Sequence, residues 1–96
     1  MLTIYPVTLL MARDAALAAD RIGRRDPDLA RQLRRAAASV PLNTAEGYGS
    51  TGGTKRARYT NAPASADEVR ACFDTAVAMR YLPDPLLDPV PPNHSE

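Results

Sequence analysis

The sequence has no tryptophan, one phenylalanine, one cysteine and one histidine in 96 residues. The lone cysteine, Cys72, excludes an internal disulfide, and His94 sits by itself in a polar, proline-rich tail, so a cysteine/histidine metal site is excluded too. No apolar run approaches the roughly 20 residues that span a bilayer. The opening stretch MLTIYPVTLLMA is apolar but lacks a basic leader and runs straight into Arg13 and Asp14. Neither a signal peptide nor a membrane anchor is expected, and the expected location is the cytoplasm. No strand-like alternation and no internal repeat is present.

These absences bear on stability. A chain this short buries only about 60–65% of its unfolded surface. Small domains compensate with disulfides, metals or oligomerisation. With the first two excluded, self-association is the expected source.

Charge is nearly balanced overall, at +1, but unevenly spread. Residues 1–59 carry ten Lys and Arg against five Asp and Glu, and residues 60–96 carry two against six. The balances of +5 and −4 let the halves dock on each other or on other copies, and let the basic part face an anionic partner.

Three helical segments are legible. The first is expected from about Pro6 to Ile22, with Leu10, Met11, Ala15, Leu17, Ala18 and Ile22 as its apolar stripe and Gly23 as its stop. The second starts at Asp26-Pro27-Asp28, where Asp26 caps, Pro27 fits the first position and Asp28 complements the helix dipole. Its seam is Leu29, Leu33, Ala36 or Ala37, and Val40, with a kink expected at Pro41. The run Tyr48–Thr54, YGSTGGT, lacks the strand and the Lys-Ser/Thr pair of a phosphate-binding loop and is read as a flexible connection. The third is expected from about Lys55 to Tyr81, burying Ala62, Ala66, Val69, Phe73, Ala76 and Val77. Pro63 either kinks it or splits it, with Ser65 and Glu68 forming a fresh capping box. Residues 1–82 are thus a helical domain, and residues 83–96, holding five of the nine prolines, a tail.

The stretch QLRRAAASVPLNTAEGYG, Gln32 to Gly49, is the most specific. Gln32, Arg34, Arg35, Ala36, Ser39, Val40, Pro41, Asn43, Ala45, Glu46 and Gly47 resemble, in register, the signature of the bacterial four-helix bundle family encoded by intervening sequences of 23S ribosomal RNA genes. Thr44 replaces the family's usual isoleucine, and Ala64 to Leu82 is similar to its third helix. The resemblance implies an all-α, up-and-down helical bundle assembling as a ring, typically a homopentamer. A related protein of diversity-generating retroelements, the accessory variability determinant, is such a ring and engages a reverse transcriptase and nucleic acid. Because the tail is short and proline-rich, the family's fourth helix is expected either to be reduced to a turn around Leu86 and Leu87 or to be missing from a divergent or truncated member.

The motif itself suits a structural clamp. Ser39, Asn43 and Glu46 share one helix face, so the first two could bond carbonyls released by Pro41 while Glu46 pairs with a neighbouring arginine. Gly47 allows close approach or ends the helix. One carboxylate without a second acid, histidine or metal is poor equipment for acid–base chemistry. Cys72 beside Phe73 reads as a small buried apolar residue. The expectation is therefore a non-enzymatic homo-oligomer with no cofactor. It would be a scaffold or adaptor that binds RNA, other nucleic acid or a nucleic-acid-processing protein through Arg24, Arg25, Arg31, Arg34, Arg35, Lys55, Arg56 and Arg58. The alternative is a purely structural or protein-binding module.

Overall fold

In the computed structural model, residues 4–49 and 52–86 are described, with side chains described for 4–45 and 62–86. Three helices make up the fold: α1 (Ile4–Gly23), α2 (Pro27–Gly49) and α3 (Gly52–Ala78). The described residues include no strand.

α1 starts earlier than expected because Pro6 lies in its first turn, where the missing N–H is not needed. Its buried stripe is Thr8, Ala15, Ala19 and Ile22. This corrects the sequence expectation for Leu10 and Leu17, which are 52% and 62% exposed. At 100° per residue the two leucines share a side with each other, opposite the small residues that let α1 close on α2. The approach is tight at Gly23, where an added Cβ would stand 3.5 Å from that of Ala30, in ordinary contact.

The turn to α2 is short. Asp26 caps α2 as expected, its Oδ1 accepting from the Leu29 N–H at 3.0 Å. Leu29, Ala30, Leu33, Ala36, Ala37 and Val40 form the buried face, so both candidate alanines are in the core. α2 packs along α1 on one side and α3 on the other, and these are the main helix contacts of the fold.

α2 runs unbroken through Pro41 to Gly49, and α3 begins at Gly52. The expected flexible connection over Tyr48–Thr54 is therefore corrected. Only positions 50 and 51 separate the helices, and the flanking glycines are helical. Each helical glycine costs about 1 kcal/mol relative to alanine, a weak preference that tertiary packing overrides. Pro63 does not split α3 either. It lies on the exposed side while Ala62 and Val69 pack inward, and that packing holds the helix in one piece. Ala62, Val69 and Ala76 are buried as expected, Ala66, Phe73 and Val77 are half-buried, and Cys72 joins the core.

α3 ends before Tyr81. The Tyr81 N–H donates to the Ala76 carbonyl at 2.8 Å, the Arg80 N–H to that of Val77 at 3.0 Å, and Arg80 has a φ of 67°. This is a Schellman closure with a left-handed arginine where glycine is usual. It turns Tyr81 and Leu82 back onto the core. These two residues form a bend, and beyond them the described chain makes a turn at Pro85 and Leu86, where the Leu86 N–H donates to Asp84 Oδ1 at 2.8 Å. Leu87, the other half of the expected terminal turn, lies outside the described residues.

Candidate interaction surfaces

The predicted arginine surface divides into three parts. Arg24 and Arg25 occupy the α1–α2 turn, and Arg31, Arg34 and Arg35 the first half of α2, all exposed. Lys55, Arg56 and Arg58 fall in α3, but their side chains lie outside the described residues, so the structure does not place them beside the first group. Several of the described cations already have partners. Arg31 Nη1 is 2.8 Å from Asp28 Oδ1, one turn back, and Arg34 bridges to Asp20 on α1. Arg25 lies over the Tyr81 ring, 5.7 Å from its centroid. Among the described residues, Arg24 and Arg35 make no ion pair.

Tyr81 therefore ties the end of α3 to the α1–α2 turn. Its hydroxyl is pushed above the ordinary tyrosine value, first by burial and then by the Asp26 carboxylate, with Arg25 opposing. Burial, reinforced by Glu68, likewise pushes the Cys72 thiol up, which favours the neutral form. No cluster of three or more metal-ligating side chains occurs among the described residues.

The polar residues around Pro41 are arranged differently from expectation. Ser39 Oγ donates to the Ala36 carbonyl and Thr44 Oγ1 to that of Val40, each at 2.8 Å. Neither reaches the Ala37 carbonyl, the one deprived of its donor by Pro41. The hydroxyls thus brace the turns on either side of the proline instead of replacing its lost hydrogen bond, and Asn43 is half-buried. Such back-bonding also satisfies a buried hydroxyl, since Thr44 is only 3% exposed. Glu46 and Gly47 are within α2, and the expected Glu46–arginine pair lies outside the described side chains.

A feature the sequence reading missed is an apolar groove of about 380 Å³. Val7 and Met11 of α1 form one wall, Ala62 and Ala66 of α3 the other, and Val40 and Thr44 of α2 the floor. It exists because α1 and α3 both pack on α2 and meet each other little. Large apolar side chains are exposed both in the groove and elsewhere on the fold: Ile4 and Val7, which line it, and Leu9, Leu10 and Leu17 of α1 are each 46–62% exposed, and Leu42 and Met79 are 60% and 54% exposed. The signal for this was available in α1, whose large apolar residues outnumber the positions that one packing face can bury.

No described helix is long and apolar enough to cross a membrane. Comparison with curated proteins and with solved structures finds no match. A family model does match: that of the 23S rRNA-intervening sequence protein, over residues 12–91, which include the α2 signature, its proline and all of α3. The chain therefore belongs to the 23S rRNA-intervening sequence protein family.

Proposed function

We propose that this protein is a non-enzymatic scaffold that works as a homo-oligomer. The observation that carries the reading is the open apolar groove, together with the large apolar side chains that α1 leaves in solvent. Several large apolar side chains exposed on one helix, beside a groove of apolar lining, suit an association site. The test is solution mass by light scattering on a sizing column, at low and high salt. A multi-subunit species that survives high salt is expected, because apolar burial is not screened. A monomer over the whole accessible concentration range would refute the proposal.

A second function is supported by the exposed Arg24 and Arg35, which leave positive charge uncompensated among the described residues. We infer that the assembled scaffold contacts RNA or other nucleic acid through phosphate, each weak contact being multiplied by the number of subunits. Arg31 and Arg34 contribute less, since acids already offset them. Binding to a generic RNA should fall steeply between low and physiological salt, and an Arg24→Glu/Arg35→Glu double variant should lose it while remaining oligomeric. Unchanged affinity would remove these residues from the interface.

A further inference from the structure

Tyr81 and the α1–α2 turn lie far apart in sequence and meet at one end of the fold. The Tyr81 ring is half-buried against the core, and the exposed Arg25 lies over it, 5.7 Å from its centroid. The face beneath Arg25 is therefore the one turned toward solvent. Two contacts hold the ring in place. The closure of α3 fixes its backbone, with the Tyr81 N–H on the Ala76 carbonyl at 2.8 Å. Its hydroxyl is hydrogen-bonded to the Asp26 carboxylate, whose Oδ1 also caps α2. The acid of the turn is thus engaged within the protein, while Arg24 beside it is exposed and makes no ion pair. The result is a flat, anchored aromatic surface next to two exposed arginines.

Arg25 is a cover that can be displaced. An exposed cation–π contact is weak, and a nucleobase stacks on an aromatic ring more strongly than such a cation does. The bases of a duplex are stacked on one another and present only their edges in the grooves, whereas unpaired bases can offer a face. A base that took the place of the guanidinium over Tyr81 would release Arg25 to a phosphate of the same strand, beside Arg24. A platform of this kind tolerates any sequence, because every base has a π face.

We propose that Tyr81 is a stacking platform for an unpaired base of a single-stranded nucleic acid, with Arg24 and Arg25 on the phosphates beside that base. This rests on the phosphate contact proposed above and names the form of nucleic acid it takes. It also reverses the preference that charge alone would set. A duplex carries the denser charge, so a surface that binds phosphate only should hold a duplex at least as well as a single strand.

The chain has no tryptophan, so Tyr81→Trp places a unique fluorophore at the platform. A short oligouridylate should quench its emission, and an abasic strand or an RNA duplex of the same length should not. Oligodeoxyuridylate, titrated alongside, tells RNA from DNA as the preferred strand. In anisotropy measurements the wild type should bind oligouridylate about tenfold more tightly than the abasic strand, and more tightly than the duplex. Tyr81→Phe should keep that margin and Tyr81→Leu should lose it, with binding to the abasic strand unchanged in both. If circular dichroism shows Tyr81→Leu to be unfolded, the wild-type comparison of oligouridylate with the abasic strand decides by itself. Absence of quenching, or equal wild-type affinity for those two strands, overturns the platform and leaves the phosphate contact standing. A wild type that binds none of the strands at low salt overturns both.

Discussion

Leu33→Ala is the sharpest test of the core. Leu33 is 0% exposed in the first third of α2, the helix that contacts both others. The buried cluster to which it belongs is rich in alanine (Ala15, Ala19, Ala30, Ala36, Ala37 and Ala76), and alanine has no rotamers with which to fill a void. Leucine-to-alanine changes in cores cost about 2.7–5.0 kcal/mol, and the cost rises with the cavity that remains. A core lined by alanine should keep most of its cavity, so we expect about 4 kcal/mol. Chains of this length have roughly 5–14 kcal/mol of stability in all, so the variant should sit near the edge of folding. In urea unfolding followed by circular dichroism, with a slope of about 1.5 kcal/mol per molar, the midpoint should fall by about 2–3 M. Leu17→Ala supplies the control. At 62% exposure it should shift dilute protein by less than about 0.5 kcal/mol. Measurements belong at low concentration, because self-association would add its own stabilisation. A loss below about 1 kcal/mol for Leu33→Ala, or equal losses for the two leucines, would refute this account of which face of each helix is buried.

Arg80→Gly should stabilise the protein by about 0.5–1 kcal/mol by removing the left-handed strain at φ 67°, with part of the gain offset by the interactions of the arginine side chain; a lowered melting temperature would refute it. Asp26→Ala should cost about 1 kcal/mol through loss of the α2 cap, and Asp26→Asn should restore most of it in the same unfolding assay. Because folding raises the Tyr81 pKa, the unfolded chain loses that proton first, so stability is full below the ordinary tyrosine value and falls as pH rises through it. Unfolding midpoints of Tyr81→Phe should therefore decline less steeply at alkaline pH than those of the wild type. Arg34→Gln should cost less than about 1 kcal/mol, because both members of the pair with Asp20 are largely in solvent; a larger loss would make that bridge a main fastening of α1 to α2.

The sequence by itself determined the three helical segments of the described residues, the α2 start at Asp26-Pro27, most of the α2 and α3 core and the family, since each follows from local chemistry or a register of residue types. Periodicity shows that a helix has an apolar side but does not choose between two. In α1, Leu10 and Leu17 were as eligible as Ala15 and Ile22 until close approach to α2 selected the small residues. That α2 continues past Pro41 was legible in the sequence, but the continuity of α3 through Pro63 was a tertiary outcome, because a helix anchored along its length on a neighbour absorbs a missing hydrogen bond. The ion pair from Arg34 to Asp20, the Tyr81 contact with the α1–α2 turn and the groove all join residues distant in sequence. No local pattern encodes such meetings. They are set by how far α1 and α3 stand apart once each has packed on α2.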